Sequence, residues 1–563
     1  MKGFEISLYI QKGMNEVEDK MKKSTLMAVV TLLAAGTVLA ACSKPKEEAS
    51  GASVSPTKAG SSPTAPEKRG KIKMSLYDRG NTPPAEGSIT NNRWTKWINE
   101  NGPADVEFVA IPRFESKQKF NTLFASGEAP DVINEFETGY RDQLYTQKQL
   151  LPLDDLIKQY APNYSKMLEK YPIMRKIGTK PDGKLYEIGR VIPSTVQIAV
   201  FIRTDWLKKL SLPIPQTPDD LLKVAKAFTE QDPDGNGKKD TYGYSLAYLG
   251  DEAIDAMHGN TMFIKDDKLV EEEARMKAAV SFKKRLFDEA VVDRDYLTDK
   301  NGEKAKKDFL SGKLGIYVAD NANVDLLTTL RSTNKEATIS PMLMPKTEFG
   351  QYTIRMLNPL QMTTVVYAGS KDPVSAVKEI DFMLAEKTWK MLKFGTENVH
   401  WKNDELGCPR ATNPDLRKIE IGYNTDMYMT ATTIDSKEVC NVPVLDKNIP
   451  NAEEWAGIRK ETRDLYENPA VPLYMLTHGE HMPTLPADLL KINNDWTQQS
   501  KDLIAKTVVS GNAYSVDQAM NDLKSLKQKI GQNQTFDWYA KWYEQNKKNA
   551  FLTKDIYQFL AKK

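Results

Sequence analysis

Cysteine is scarce in these 563 residues: only Cys42, Cys408 and Cys440 occur. No Cys/His spacing suits a zinc site, and neither His-Glu-x-x-His nor Gly-x-Ser-x-Gly appears, so the common metalloprotease and hydrolase signatures are missing. Charge of one sign is also missing. The formal net charge is +2, and no basic excess argues for nucleic acid or an anionic surface as partner. Beyond residue 41 no stretch is apolar enough to span a membrane, and no internal repeat is found. His478 and His481 lie three apart with no third ligand adjacent, so the pair reads as structural rather than metal-binding.

The N-terminus is more informative. Lys22 and Lys23 precede an uncharged apolar stretch over 26–39, which ends in Leu39-Ala40-Ala41-Cys42. Basic residues, an apolar run and small residues at a cleavage point make a secretory signal. A Cys directly after them resembles a bacterial lipobox, whose thiol is diacylated. The alternative, an ordinary membrane anchor, is disfavoured because about 14 apolar residues fall short of the roughly 20 a span needs. Residues 1–20 are polar and unlike a signal, so translation is expected to begin at Met21. Residues 1–41 are then the signal and 42–70 a lipidated Cys with a tether. That tether is built from Ser, Gly, Pro, Ala, Thr, Lys and Glu, with Val54 its only larger aliphatic side chain. It buries too little to offset chain entropy. Two acyl chains give stable anchoring where one does not. The expected location is the outer face of the cell membrane, held through the lipid alone.

The remaining chain, from about Lys71, is too long for one core and predicts two lobes. Lys71 to Tyr77 alternates like a strand. Asn91 or Asn92 caps a helix through Trp94, Trp97 and Ile98. Val106 to Ile111 is a second strand, a helix ends at Ser126-Gly127, and Pro130 to Ile133 begins a third strand. This order predicts an α/β lobe with a largely parallel sheet. Gln197 to Arg203 is a strongly apolar strand, Thr353 to Ala368 is extended, and the end of the chain is mainly helical. Cys408 and Cys440 form a disulfide or are two buried thiols; export permits either.

Several segments together resemble the extracellular solute-binding proteins of bacterial sugar ABC importers, in particular their long, oligosaccharide-handling lipoproteins. They are Ala125-Ser126-Gly127-Glu128-Ala129-Pro130-Asp131-Val132, Gly183-Lys184-Leu185-Tyr186, Arg203-Thr204-Asp205-Trp206-Leu207 with Pro215-Gln216-Thr217-Pro218, Phe309-Leu310-Ser311-Gly312-Lys313-Leu314-Gly315, and Gly395-Thr396-Glu397-Asn398-Val399-His400-Trp401. In the last, Asn398 stands where that subgroup usually has Gly. The resemblance spans about 71–545. It implies a class II two-lobe periplasmic-binding-protein-like fold with hinge crossings near 191–197, near 354–361 and after Trp401. The N-terminal lobe is then 71–192 with about 358–410, and the C-terminal lobe 193–357 with about 411–563. It also implies a monomer that binds an oligosaccharide, delivers it to permease subunits and has no catalytic role. The rival is a lipid-anchored glycoside hydrolase or polysaccharide lyase, whose carboxylate pair cannot be recognised among 76 acidic residues.

One motif carries chemistry of its own. Asp232, Asp234, Asn236 and Asp240 place oxygens at positions 1, 3, 5 and 9 of a loop, Gly237 takes the turning position 6, and Lys238 offers its carbonyl at position 7. Ca²⁺ takes six to eight such oxygens. Position 12 is Gly243, not the usual bidentate Glu. A plain cluster of Asx-Gly turns is the alternative. The resemblance implies a structural ion, away from the sugar.

A sugar site mixes aromatic faces with polar groups, placed beyond the carboxyl ends of strands. The candidates by that rule are Arg79 after the first strand, Glu135, Phe136 and Tyr140 after the third, and Trp94. The resemblance adds Glu397, His400 and Trp401. Trp97 and Trp206 read as core. Cys42→Ala is expected to remove the lipid: cells grown with radioactive palmitate should label the parent protein and not the variant, and label retained on the variant would refute the lipobox.

Overall fold

The computed structural model describes residues 69–193, 196–321, 325–405, 407–433 and 451–561. Cys42, the signal, the tether and Cys440 lie outside these residues. The described chain belongs to one compact unit built on two five-stranded mixed sheets.

The first sheet contains β1 (Gly70–Asp78), β2 (Ala104–Pro112), β3 (Val132–Asn134) and β4 (Glu187–Val191). The chain then enters the second sheet through β5 (Val196–Arg203) and β6 (Tyr242–Tyr244). A small hairpin follows, β7 (Phe263–Lys265) with β8 (Lys268–Val270), and then β9 (Leu314–Asp320), β10 (Ile339–Met342) and β11 (Arg355–Met356) of the second sheet. The strand β12 (Leu360–Val366) returns to the first sheet. The orders are β2-β1-β3-β12-β4 and β10-β5-β9-β6, with β11 also on β5. The sheets thus exchange chain at 192–195 and again at 357–359.

As expected from sequence, β1, β2 and β3 are parallel, and β4 runs in the same direction; the exception in the first sheet is β12, which lies antiparallel between β3 and β4. The second sheet is mixed, with β6 parallel to β9 and β9 and β10 antiparallel to β5. The reason for the direction of β12 is geometric. The chain leaves the first sheet at the carboxyl end of β4 and comes back at that same edge. Gln361 accordingly lies opposite Arg190 in the register, and β12 must run away from the edge.

Local chemistry explains the elements. Asn92 caps the helix Arg93–Asn101, its side chain accepting from the amides of Trp94 and Thr95 while the Thr95 hydroxyl accepts from the Asn92 amide. All of β5 is buried except Gln197, as a central strand covered on both faces requires.

The cores do not divide at about 410. Ile421, Tyr423 and Met427 pack with Leu76 and Ile98 of the first lobe. Leu473, Phe551 and Ile556 pack with Ile72 and Met74. The amide of Thr433 donates to the Val191 carbonyl at 3.2 Å, so the chain is still beside β4 there. The helix Ala452–Tyr466 lies on the second sheet: the Tyr466 hydroxyl donates to the Met342 carbonyl at 2.7 Å and accepts from the Val200 amide at 2.9 Å. An apolar stripe says that a helix face is buried, not which sheet buries it. Cys408 is buried and disulfide-bonded.

One buried carboxyl in the first lobe is poorly supported. Glu379, on the helix Pro373–Leu384, has no solvent exposure. It accepts one hydrogen bond, from the Ala104 amide at 3.2 Å, and its Oε1 has no partner. Burial pushes its pKa up to about 8, opposed only in part by that amide and by Arg69. A raised folded value gives stability that is complete below the ordinary carboxyl range and is lost as pH rises towards 8. Glu379→Gln should therefore match the parent at pH 4.5 and exceed it by roughly 2–4 kcal/mol at pH 8. Denaturant unfolding at both pH values checks this; a difference independent of pH would refute it.

Candidate functional site

The carboxyl ends of β1, β2, β3 and β4 and the start of β12 share one edge of the first sheet. An open cavity of about 420 Å³ lies there, lined by Arg113, Phe136, Thr138, Arg190 and Gln361 and by the 479–484 segment.

Behind its lining lies the buried Tyr77, the penultimate residue of β1. The Tyr77 hydroxyl donates to Glu135 Oε1 at 2.5 Å and accepts from the Phe136 amide at 3.1 Å. The same Glu135 oxygen accepts from the Glu137 amide at 2.8 Å. Burial, reinforced by the Glu135 charge, drives the Tyr77 phenol far above its ordinary value, so it stays a donor. The loop so fixed stacks Phe136 on Tyr77, with centroids 5.9 Å apart and planes 13° from parallel.

Two guanidinium groups flank this pair. Arg113 lies 4.8 Å from the Tyr77 centroid and 5.3 Å from that of Phe136; Arg190 lies 5.6 Å from Phe136. Arg190 Nε and Nη2 both donate to Gln361 Oε1, at 3.0 and 2.9 Å. Burial lowers the Arg190 pKa to about 10, although Tyr428, Asp426 and Glu480 pull the other way.

Beneath the loop, fully buried Arg141 donates to the Glu135 carbonyl at 2.7 Å and pairs with Glu187 at 3.3 Å. Lys180 reaches Glu187 at 2.6 Å. Burial alone would raise the Glu187 pKa, but Arg141 and Lys180 hold it at about 2. The far wall is fixed by Glu480, whose carbonyl accepts from the Thr138 hydroxyl at 2.8 Å and whose Oε2 accepts from the Asn358 amide at 2.6 Å. His481 lies 3.1 Å from Asn358 Oδ1 and edge-on to Phe551. Burial lowers its pKa to about 3, which keeps it neutral.

Of the sequence candidates, Phe136 lines the cavity and Glu135 supports it from below. The others lie elsewhere. Arg79 is held bidentate by Asp426, at 2.5 and 2.9 Å. Trp94 is 4% exposed, and its Nε1 donates to the Glu420 carbonyl. Tyr140 is buried against Phe120 at 5.6 Å. His400 is buried between Glu420, 2.9 Å from its Nε2, and the Thr396 amide, which donates to its Nδ1. Trp401 is half-buried on Phe394 and donates to the Gly395 carbonyl at 2.9 Å. Glu397 is exposed. Asn398, in the usual glycine position, has φ 63°, a left-handed conformation that Asn tolerates better than most residues. Arg113, Arg190 and Gln361 were not singled out from sequence. The available signal was position: Arg190 and Gln361 are polar side chains in apolar strands at the two expected crossings.

The acidic loop after the helix Pro218–Glu230 folds inward on itself. The Asn236 side-chain Nδ2 donates to Asp234 at 2.7 Å and to Asp240 at 3.1 Å, and the Gly237 backbone amide donates to Asp232 at 3.1 Å. Asp232 Oδ1 is buried with no partner. These are hard oxygen donors drawn together with one left over, which fits a Ca²⁺ loop, although among the described residues no three His, Cys, Asp or Glu side chains already frame a metal position. Gly243 at position 12 has a packing cause: a Cβ there would lie 2.3 Å from the Ala225 backbone, so β6 can lie against that helix only as glycine.

Two sheets that exchange strands, with a polar and aromatic cavity at the exchanging edge, define a receptor for a small soluble ligand. Residues 84–388 match the bacterial extracellular solute-binding protein family, and the chain belongs to it. Its members bind solutes rather than turn them over. The polygalacturonan/rhamnogalacturonan-binding protein YtcQ of Bacillus subtilis is 26% identical over 408 residues, 68% of this chain and 75% of that one. The fructooligosaccharide ABC transporter substrate-binding protein FusA of Streptococcus pneumoniae is 25% identical over 467 residues, 77% and 83% of the two chains. Among solved structures, an HMO-binding ABC-transporter-associated solute-binding protein of Bifidobacterium longum infantis shares the fold at TM-score 0.65, with 17% identity over 85% of this chain and 99% of that one. FusA in complex with kestose does so at 0.61, with 19% identity over 85% and 100%. Two further fold matches, at 0.58 and 0.60, are an alginate-binding protein without calcium ion and a FusA EF-hand mutant, 18% and 20% identical; each covers 85% of this chain, with 98% and 100% of their own.

Proposed function

We propose that this chain is the lipid-anchored, extracytoplasmic substrate-binding component of an ABC importer, and that it captures an oligosaccharide and passes it to permease subunits. The observation that carries the ligand class is the cavity itself. An aromatic wall, Phe136 backed by Tyr77, is surrounded by planar polar groups on Arg113, Arg190 and Gln361. A pyranose or furanose ring has apolar C–H faces and a hydroxyl rim, and such a lining meets both. Family membership and the carbohydrate ligands of YtcQ and FusA support the reading. The lipobox at Cys42 supports anchoring.

Binding between lobes works by hinged closure. The hinges are placed where the chain passes between the sheets, between β4 and β5 and between β11 and β12, next to Arg190 and Gln361 of the cavity. For the loop, Asp232, Asp234, Asn236 and Asp240 with the Lys238 carbonyl would hold a Ca²⁺ ion. The ion would neutralise carboxylates gathered within one turn. It would steady the end of the helix Pro218–Glu230 and take no part in sugar contact.

Two measurements test this reading. Calorimetry against neutral and acidic oligosaccharides should find a ligand. Phe136→Ala should then weaken it by about 2 kcal/mol, roughly thirtyfold in Kd, at an unchanged melting temperature. Absence of binding across the panel, or Phe136→Ala binding as tightly as the parent, would overturn it. Separately, chelation of calcium-loaded protein should lower the melting temperature, and Asp232→Ala with Asp234→Ala should abolish that response. Identical melting curves with and without chelator would remove the ion.

A further inference from the structure

We infer that the cavity takes a saccharide carrying carboxylates, a uronic-acid oligosaccharide, with Arg190 and Arg113 receiving a carboxylate beside the Phe136 ring. This rests on the oligosaccharide reading and names the chemical class within it.

The first ground is the state of the two arginines. Arg79, Arg93, Arg141, Arg203 and Arg355 each pair with a carboxylate. Among the described residues Arg113 and Arg190 have none within ion-pair distance; they meet aromatic rings and, for Arg190, one neutral amide oxygen. Both line the same cavity and flank the same ring. A charge taken out of water without a counter-charge is unfavourable; that is the state of Arg190, and the half-exposed Arg113 adds a second unpaired positive charge to the same pocket.

The second ground is the geometry of Arg190. Gln361 occupies its Nε and Nη2 and fixes the plane of the guanidinium. Nη1 makes no hydrogen bond among the described residues and is left for a ligand. A guanidinium held in plane at a pocket wall suits a planar carboxylate better than a tetrahedral hydroxyl carbon.

Two acids, Glu137 and Glu480, line the same cavity, but neither comes within ion-pair distance of Arg113 or Arg190: Glu480 Oε2 is turned to the Asn358 side chain and Glu137 is exposed, while Asp426 is paired with Arg79. The depressed Arg190 pKa has burial as its largest cause, with Asp426 and Glu480 compensating only in part. A bound carboxylate reverses that balance.

The test compares one glycan with and without its charge. Tetragalacturonate and tetramannuronate are titrated into the full-length protein beside their carboxyl-reduced forms, in which each carboxylate is a CH₂OH. At least one uronate should bind roughly ten- to hundredfold tighter than its reduced form. Its affinity should also fall with added salt. Arg190→Gln should reduce that preference to within about threefold. Arg113→Gln, a change on a half-exposed side chain that does not threaten folding, should reduce it in the same direction. Reduced glycans binding as well as the uronates would overturn the inference and leave the oligosaccharide reading standing. So would a uronate preference that survives both substitutions. Failure of every glycan, charged and neutral, would overturn both.

Discussion

The guanidinium of Arg141 is the contact on which the ligand edge depends. It is buried to 2% exposure, donates to the Glu135 carbonyl just past β3, and faces Glu187 at the start of β4. Two strands separated in the sheet by β12 are thereby joined below the loop that carries Phe136. A buried ion pair is weak evidence for stability, because desolvation cancels much of its Coulomb gain. Removing one partner alone costs about 3–5 kcal/mol. Here Lys180, which also pairs with Asp142 at 2.7 Å, adds a second cation to Glu187, and the two cations keep that carboxylate ionised down to about pH 2. The arrangement specifies geometry: Glu135 cannot shift without unpairing Tyr77, the Glu137 amide and Arg141 together.

The strand order follows from a second constraint. A chain that visits a second sheet and returns beside its point of departure enters the first sheet from the ligand edge. That fixes β12 as antiparallel and sets Gln361 opposite Arg190. Arg190 is the next-to-last residue of β4 before the chain leaves the first sheet, and Gln361 is the second residue of β12 after it returns, so both stand next to the passages between the sheets.

The sequence exposes these features unevenly. The early strands and the Asn92 cap are legible because period-two alternation and an Asx before an apolar helix face are local properties. The assignment of 411–433 and 551–560 to a lobe is not legible, since that choice depends on distant partners such as Leu76 and Ile72. The same holds at the site. Phe136 is recognisable as an aromatic beyond a strand end. Tyr140 and Trp94 satisfy the same rule and are core, because Phe120 and the Glu420 carbonyl, far away in sequence, claim them. Arg190 satisfies no aromatic or loop rule. It lies inside a strand, with only its place beside an expected crossing as a signal, and its lack of a carboxylate partner among the described residues is a property that exists once the chain is folded.

The two departures from motif have opposite meanings. Asn398 in place of glycine keeps the left-handed backbone at φ 63° and so preserves the turn that brings His400 to Glu420. Gly395 in the same segment is not replaceable in that way: a Cβ would sit 2.6 Å from the His400 ring. Gly243 in place of a twelfth-position Glu gives up a ligand so that a strand can touch a helix. In the first case the left-handed backbone is kept by a residue that tolerates it. In the second, the packing of β6 against the helix leaves no room for a longer side chain.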